Sequence, residues 1–203
     1  MEKEKLLVED YLIEKLKEKG WRYIPPEKLN RVSYEEPLLI QNLIEAIKKI
    51  NRDVDLTSLD ITHVLNELQS KILGAEAIKK ILNYLKEGVP IKLEKTNQLK
   101  YIQLIDYKNP TNNEFIVSNQ VEYKGRELIR VDIALYINGI PLVIIECKDP
   151  TDPSVSWEDA YNQIKQYERL VEELFKYVQF SVAAEENVRY FPNVPWLDEV
   201  ETN

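Results

Sequence analysis

Between Leu128 and Lys148 the chain is apolar at nearly every position, broken only by Asn138-Gly139 and four charges. Side chains alternate faces along a strand. In the first half Val131, Ile133, Leu135 and Ile137 read as one face, with Ala134 and Tyr136 on the other. In the second, Val143 and Ile145 oppose Leu142 and Ile144. Strands apolar on both faces belong in the middle of a sheet, with layers above and below. A chain containing two of them is committed to an α/β or α+β architecture.

Asp132, Glu146 and Lys148 stand inside these strands. An uncompensated buried charge is costly or titrates to neutrality. Two acids and a lysine at strand ends make sense if a divalent cation sits between the carboxylates. Mg²⁺ suits such a place, taking one or two carboxylates plus waters and phosphate oxygens. Glu146 and Lys148 share a face, and Cys147 takes the other.

Register tests the idea. Opposed residues of an antiparallel hairpin share a face. A two-residue loop, Asn138-Gly139, pairs Ile137 with Ile140 and puts Asp132 opposite Ile145, so the acids diverge. A three-residue loop sets Asp132 opposite Glu146. A shared metal therefore requires an odd-length loop or a bulge, although Asn-Gly signals a two-residue turn.

The first half of the chain reads as helical. Glu2 to Lys19 ends at Gly20; Pro37 suits a first helical position; Ser58 caps a helix to about Leu73; another runs from about Ala75 to Glu87. Gly20, Gly74 and Gly88 are each expected to close a helix. Strands are predicted over Leu99–Tyr107, Glu114–Tyr123, Leu128–Ile137, Leu142–Lys148 and Tyr177–Ala183. Ser156 to Asp159 resembles a capping box opening a helix to about Phe175. The expected organisation is a helical region over 1–90 whose first helix packs on the core, the core over 91–190, and a C-terminal loop or linker over 191–203.

Composition narrows the partners. The longest uninterrupted apolar run, Ile140 to Ile145, is too short to span a membrane. One cysteine allows no internal disulfide, and the N-terminus lacks the order of a signal peptide, so a cytoplasmic location is expected. Net charge is −8, so binding nucleic acid requires a local basic patch, a metal or partner subunits. Lys108, Lys124, Arg126, Arg130, Lys165 and Arg169 are the basic residues near the proposed site.

The acid, spacer, Glu-x-Lys order resembles the PD-(D/E)xK nuclease superfamily, with Val131 where the motif has proline. The surrounding text is more specific. Ile105-Asp-Tyr-Lys-Asn-Pro-Thr-Asn-Asn-Glu-Phe-Ile-Val-Ser-Asn-Gln120, Arg-Val-Asp-Ile, and Asn-Gly-Ile-Pro-Leu-Val-Ile-Ile-Glu-Cys-Lys resemble the N-terminal domain of the restriction (R) subunit of type I restriction–modification enzymes. So do Ala160-Tyr-Asn-Gln163-Ile-Lys-Gln-Tyr167 and Leu174-Phe-Lys-Tyr177, and the likeness covers nearly the whole chain.

The resemblance implies a restriction-endonuclease-like α/β core (α+β in some schemes): a central mixed sheet flanked by helices, preceded by a helical region. It implies a Mg²⁺-dependent deoxyribonuclease, with Mn²⁺ able to substitute. Asp132, Glu146 and the Cys147 carbonyl would hold the metal. Lys148 would orient or help deprotonate the attacking water and offset phosphate charge. Gln163 and Tyr167 match the family's Gln-x-x-x-Tyr motif on one helix face. Glu9, with Glu14 behind it, is the candidate acid from the first helix, although that helix is crowded with charges and reads more readily as a solvated face. Gln120 fits the pattern with a structural role open, and His63 reads as core-edge or surface.

Partners implied are double-stranded DNA, a helicase/translocase motor, and the modification and specificity subunits. No phosphate-binding Gly-x-x-x-x-Gly-Lys-Ser/Thr loop occurs, so no ATP site is expected in this chain. Rival readings are a catalytically silent docking module for the motor or DNA, and a stand-alone DNA-repair or junction nuclease.

Overall fold

A computed structural model describes residues 2–152, 154–185 and 188–193. In chain order the elements are helix α1 (Glu2–Glu18), strand β1 (Arg22–Tyr23), helices α2 (Ile40–Ile50), α3 (Ser58–Leu68) and α4 (Gly74–Glu87), and strands β2 (Val89–Lys92), β3 (Leu99–Ile102), β4 (Phe115–Lys124), β5 (Leu128–Ile137) and β6 (Ile140–Cys147). Helices α5 (Trp157–Leu170) and α6 (Glu172–Phe175) and strands β7 (Phe180–Ala184) and β8 (Val188–Pro192) complete it. The main sheet has the order β1-β4-β5-β6-β7-β8, while β2 and β3 form a ribbon of their own. It is mixed: β1 runs parallel to β4 and β6 parallel to β7, and the other neighbours are antiparallel. As the doubly apolar pattern requires, β5 and β6 are central, and β6 is buried at every position.

Two hydrophobic clusters cover the sheet. One joins Ile13, Leu43, Ile47, Val64 and Ile81 of the first four helices to Ile133, Leu135 and Ile145. The other joins Ile164, Tyr167 and Leu174 of α5 and α6 to Val131, Ala134, Tyr136 and Ile144. The helix-flanked mixed sheet is an α/β fold consistent with a PD-(D/E)xK-like core. The boundary expected at residue 90 falls inside β2, and the first cluster runs across it.

Several local expectations change, each for a tertiary reason. α2 begins at Ile40 rather than Pro37, because the Leu38 N–H donates to the Glu36 carboxylate (2.9 Å) and the Leu39 N–H to the Gly139 carbonyl (2.8 Å). Thr57, not Ser58, caps α3 through a reciprocal pair with Asp60, and that helix stops at Leu68. Gly74 opens α4 with φ 73° instead of closing a helix. β3 stops at Ile102, since the Gln103 N–H is taken by the Asn51 side chain at 2.8 Å. The single helix predicted to Phe175 breaks at Val171, because the Leu170 carbonyl accepts from the Arg126 N–H. Phe191 and Pro192 lie in β8, where only loop is predicted; residues 194–203 of that expected linker lie outside the described residues.

The Asn138-Gly139 turn is the two-residue kind, with φ 53° and 80°, both in the left-handed region that a type I′ turn needs. Asn138 is fully buried. Its amide donates to the Leu104 carbonyl and Asn113 Oδ1, and its Oδ1 accepts from the Glu114 N–H, each at 2.8 Å.

The second cluster also holds a buried phenol pair, Tyr123 and Tyr136, with oxygens 2.5 Å apart and the Arg31 guanidinium 4.5 Å above the Tyr123 ring. Burial pushes both phenols up, as it does Tyr177. A group whose folded value exceeds its unfolded value stabilises fully below the unfolded value and loses that contribution as pH rises through the folded one. Stability should therefore fall above pH 10, the ordinary tyrosine value. Phenolate absorbance against pH should show these tyrosines ionising only as the protein unfolds. Ionisation of all twelve near pH 10 in folded protein contradicts this.

Candidate active site

The hairpin that carries the acids resolves the register conflict with a bulge. Ile137 pairs with Ile140 and Tyr136 with Pro141, as the two-residue turn demands, but the next pair is Leu135 with Val143. Leu142 is thus an extra residue on β6, and Leu142 and Val143, although consecutive, pack in the same cluster. Ala134 then meets Ile144 and Ile133 meets Ile145, a register whose next opposed pair is Asp132 and Glu146. One inserted residue brings the two acids to one face.

Three carboxylates gather there, all buried: Asp132 is 3% exposed, and Glu146 and Glu9 are 0%. Asp132 Oδ2 accepts from the Cys147 N–H at 2.8 Å, and Glu146 Oε1 from the Asp132 N–H at 3.3 Å, so each acid is tied to the other's strand. Glu9 reaches them from α1, whose crowded charges include at least this one turned inward. Gln120 on β4 lies across from Asp132. Its Nε2 donates to both Glu9 oxygens (2.8 and 2.9 Å) and to Asp132 Oδ1 (3.3 Å).

Gln120 breaks its own strand to do so. Its φ is 51°, and the ladder shows Asn119 with Ile133 and Val121 with Val131, the pair between them missing. Across this point the strands roll over. Val117, Ile133 and Leu135 belong to the first cluster, while Val121, Tyr123, Ile129 and Val131 belong to the second. Val131 therefore does not share a side with Ile133 and Leu135, as strict alternation predicts.

Lys148, half-buried, joins a second set of contacts. Its Nζ donates to Gln163 Oε1 at 2.6 Å, Gln163 Nε2 donates to the Tyr167 oxygen, and the Tyr167 hydroxyl donates to the Arg130 carbonyl at 3.0 Å. The chain of bonds ends two residues from Asp132, on the same strand. α5 presents Gln163 and Tyr167 one turn apart on its buried side, started by a Ser156/Asp159 capping box. Burial first, then the charge of Glu146, then, more weakly, that of Asp132, push the Tyr167 phenol up to about 12.

Two clefts flank the acids. One, of about 780 Å³, is lined by Glu122, Arg130, Asp132, Asp159, Gln163 and Tyr167 among others. The other, of about 640 Å³, is lined by Arg31, Tyr34, Gln120 and Arg130. Both share Glu122 and Arg130. Of the other basic residues expected here, Lys124, Arg126 and Lys165 pair with Glu35, Glu172 and Glu168. Arg169 lines a separate pocket beside Lys176, and Lys108 sits in the loop next to the Asp106 carboxylate. His63 is exposed, and Glu14 pairs with Lys17 on the surface.

The donor set fits a hard divalent cation. Every side-chain donor is a carboxylate oxygen, buried, and carried by strands and a helix rather than loops. Among the described residues, no ready-made group of three His, Cys, Asp or Glu ligands is assembled, and the Gln120 amide stands between Glu9 and Asp132. Gln120 is the site residue that sequence reasoning undervalued. Its only signal is its place at the end of the family-like run over residues 105–120, because alternation along β4 groups it with Ser118, Glu122 and Lys124, where a polar residue is ordinary.

A family model for the type I restriction enzyme R protein N terminus matches residues 1–199. The chain is 31% identical over 193 residues to the putative type I restriction enzyme MjaVIIIP endonuclease subunit of Methanocaldococcus jannaschii, covering 94% of this chain and 18% of that protein. It is 40% identical over 120 residues to the MjaVIIP counterpart, covering 58% of this chain and 11% of that one. Against the type I restriction enzyme HindI endonuclease subunit of Haemophilus influenzae it is 26% identical, over 85% of this chain and 17% of that protein. The chain spans less than a fifth of the length of these curated relatives.

Proposed function

Because the chain belongs to the family of type I restriction enzyme R protein N termini, we propose that it is the DNA-cleaving part of such an enzyme, a Mg²⁺-dependent endonuclease that hydrolyses phosphodiester bonds. The observation that carries this reading is the bulged register that opposes Asp132 to Glu146, with Lys148 two residues beyond Glu146, just past the end of β6.

Asp132 and Glu146 would hold the cation with the Cys147 carbonyl, and Glu9 would add a third carboxylate. When bound, the cation supplies a nucleophilic water at neutral pH and Lewis-acid polarisation of the phosphate. The protein's own groups do the rest. The Lys148 ammonium, its direction set by Gln163 and Tyr167, donates to a phosphate oxygen as negative charge grows there. Arg130, exposed at the junction of the two clefts, meets the flanking backbone.

With net charge −8, phosphate contacts of this kind are few, and the chain depends on partners to deliver duplex DNA. We propose that these partners are a translocating motor and the modification and specificity subunits. Among the described residues no helix is long and apolar enough to cross a membrane.

The test is nicking of supercoiled plasmid with Mg²⁺ or Mn²⁺. Wild type should nick only with metal, and Asp132→Asn should lower the rate by about 10³-fold, as loss of a metal-holding carboxylate demands. Equal nicking by both proteins would remove Asp132 from the chemistry. Calorimetric titration with Mn²⁺ covers the case in which DNA must be delivered by a partner: heat in wild type that vanishes in Asp132→Asn supports the metal site, and none in wild type favours the docking module.

A further inference from the structure

We propose that Gln120 is a positioning residue for the divalent cation: its amide gathers the Glu9 and Asp132 carboxylates and sets the spacing at which the metal is taken up. This rests on the nuclease reading above and adds a residue to it. Three independent features point to Gln120. Its amide nitrogen touches carboxylates from two different elements, Glu9 on α1 and Asp132 on β5. Its backbone holds φ 51° in mid-strand, a conformation that costs a residue other than glycine about 1–3 kcal/mol and survives only where the surroundings impose it. It stands at the very position where β4 and β5 exchange one hydrophobic cluster for the other, so the kink aims the side chain at the acids.

The chemistry follows from donors and acceptors. Two like charges brought together repel, and Glu9 sits on a helix that could otherwise carry it away from β5. An amide has two N–H groups and no charge. It can hold one lone pair on each carboxylate while leaving others for a cation, which a lysine in its place could not do without competing for the site. Groups that orient metal-holding carboxylates in this way typically contribute about 10–100-fold to metal affinity when removed.

The design of the test separates this role from mere support of the fold. Gln120→Gly deletes the amide yet suits the left-handed backbone, so the sheet should be kept, and the thermal midpoint reads what the loss of the amide costs the fold. Gln120→Asn also tolerates that backbone and keeps an amide, one methylene too short to bridge, and serves if the glycine variant fails to fold. Mn²⁺ titrated calorimetrically into the full chain should bind about tenfold more weakly in either variant, and nicking should recover when Mn²⁺ is raised to saturation. Affinity equal to wild type in a folded variant overturns the proposal, and so does tighter binding, which would mark the amide as a competitor of the cation. A wild type that takes up no Mn²⁺ overturns the nuclease reading itself, and this inference with it.

Discussion

Lys148→Ala should fold and take up Mn²⁺ as the wild type does, yet nick plasmid about 10²–10³-fold more slowly, the usual loss when a charge-stabilising donor is removed. Lys148 is no part of the acid cluster's hydrogen bonding as described; its ammonium is fixed by Gln163, which is fixed by Tyr167, which is fixed by the Arg130 carbonyl. Removing the ammonium therefore takes away charge where the phosphate arrives while the carboxylates keep their places. Tyr167→Phe is the graded companion. It cuts only the last two links of the chain, leaving the Lys148–Gln163 bond, and should slow nicking by about tenfold at most. Lys148→Ala nicking at the wild-type rate would sink the role, and Mn²⁺ binding lost in the same variant would place the lysine among the groups that hold the metal site together.

Gly139→Ala should cost roughly 3 kcal/mol or more, from a left-handed backbone of about 1–2 kcal/mol for an L-residue plus a collision. An added methyl group would lie 2.5 Å from the Leu39 carbonyl oxygen and 2.9 Å from the Leu43 nitrogen, both backbone atoms at the start of α2. Neither can swing aside, because the Gly139 carbonyl is itself the acceptor for the Leu39 N–H. For a domain of this size the thermal midpoint should drop by roughly 6–12 °C. Gly20→Ala is the control: its φ is 93°, equally left-handed, but nothing lies within 4 Å of the new methyl group. It should cost only the backbone part. Equal losses in the two variants would mean that the docking of α2 on the turn contributes nothing.

Reading the chain without its structure recovers what local patterns encode. The double apolar periodicity of Leu128–Ile137 fixes a central strand to the residue, because burial on both faces leaves few alternatives. The requirement that Asp132 and Glu146 share a face forecasts a bulge or an odd loop, and the bulge at Leu142 is what the hairpin contains. The position of that bulge is not legible, since Leu142 is as apolar as its neighbours and only three-dimensional packing selects it. Helix starts fail where tertiary bonds take the cap: the Gly139 carbonyl draws Leu39 out of a helix that Pro37 would otherwise begin. β8 is missed because Val188–Pro192 is an exposed edge strand with little periodic burial. Gln120 escapes because an amide in a strand looks like any half-exposed polar residue until α1 is folded against it. Glu9 escapes a firm reading for the same reason, as one acid among many on a charged helix.

The extra residue at Leu142 also governs how relatives of this hairpin can change length. Asp132 and Glu146 are fourteen positions apart, an even separation that a two-residue turn alone does not reconcile with a common face. Lengthening the ribbon by one residue on each strand leaves the two acids facing each other. Adding a single residue between them turns one acid to the opposite layer unless a second irregularity restores the count, whereas losing one keeps them opposed only if the bulge goes with it, because a two-residue turn without a bulge sets position 132 against position 145. A one-residue loss here thus signals a hairpin that has dispensed with its bulge, and a one-residue gain signals a second irregularity or a site that has been given up.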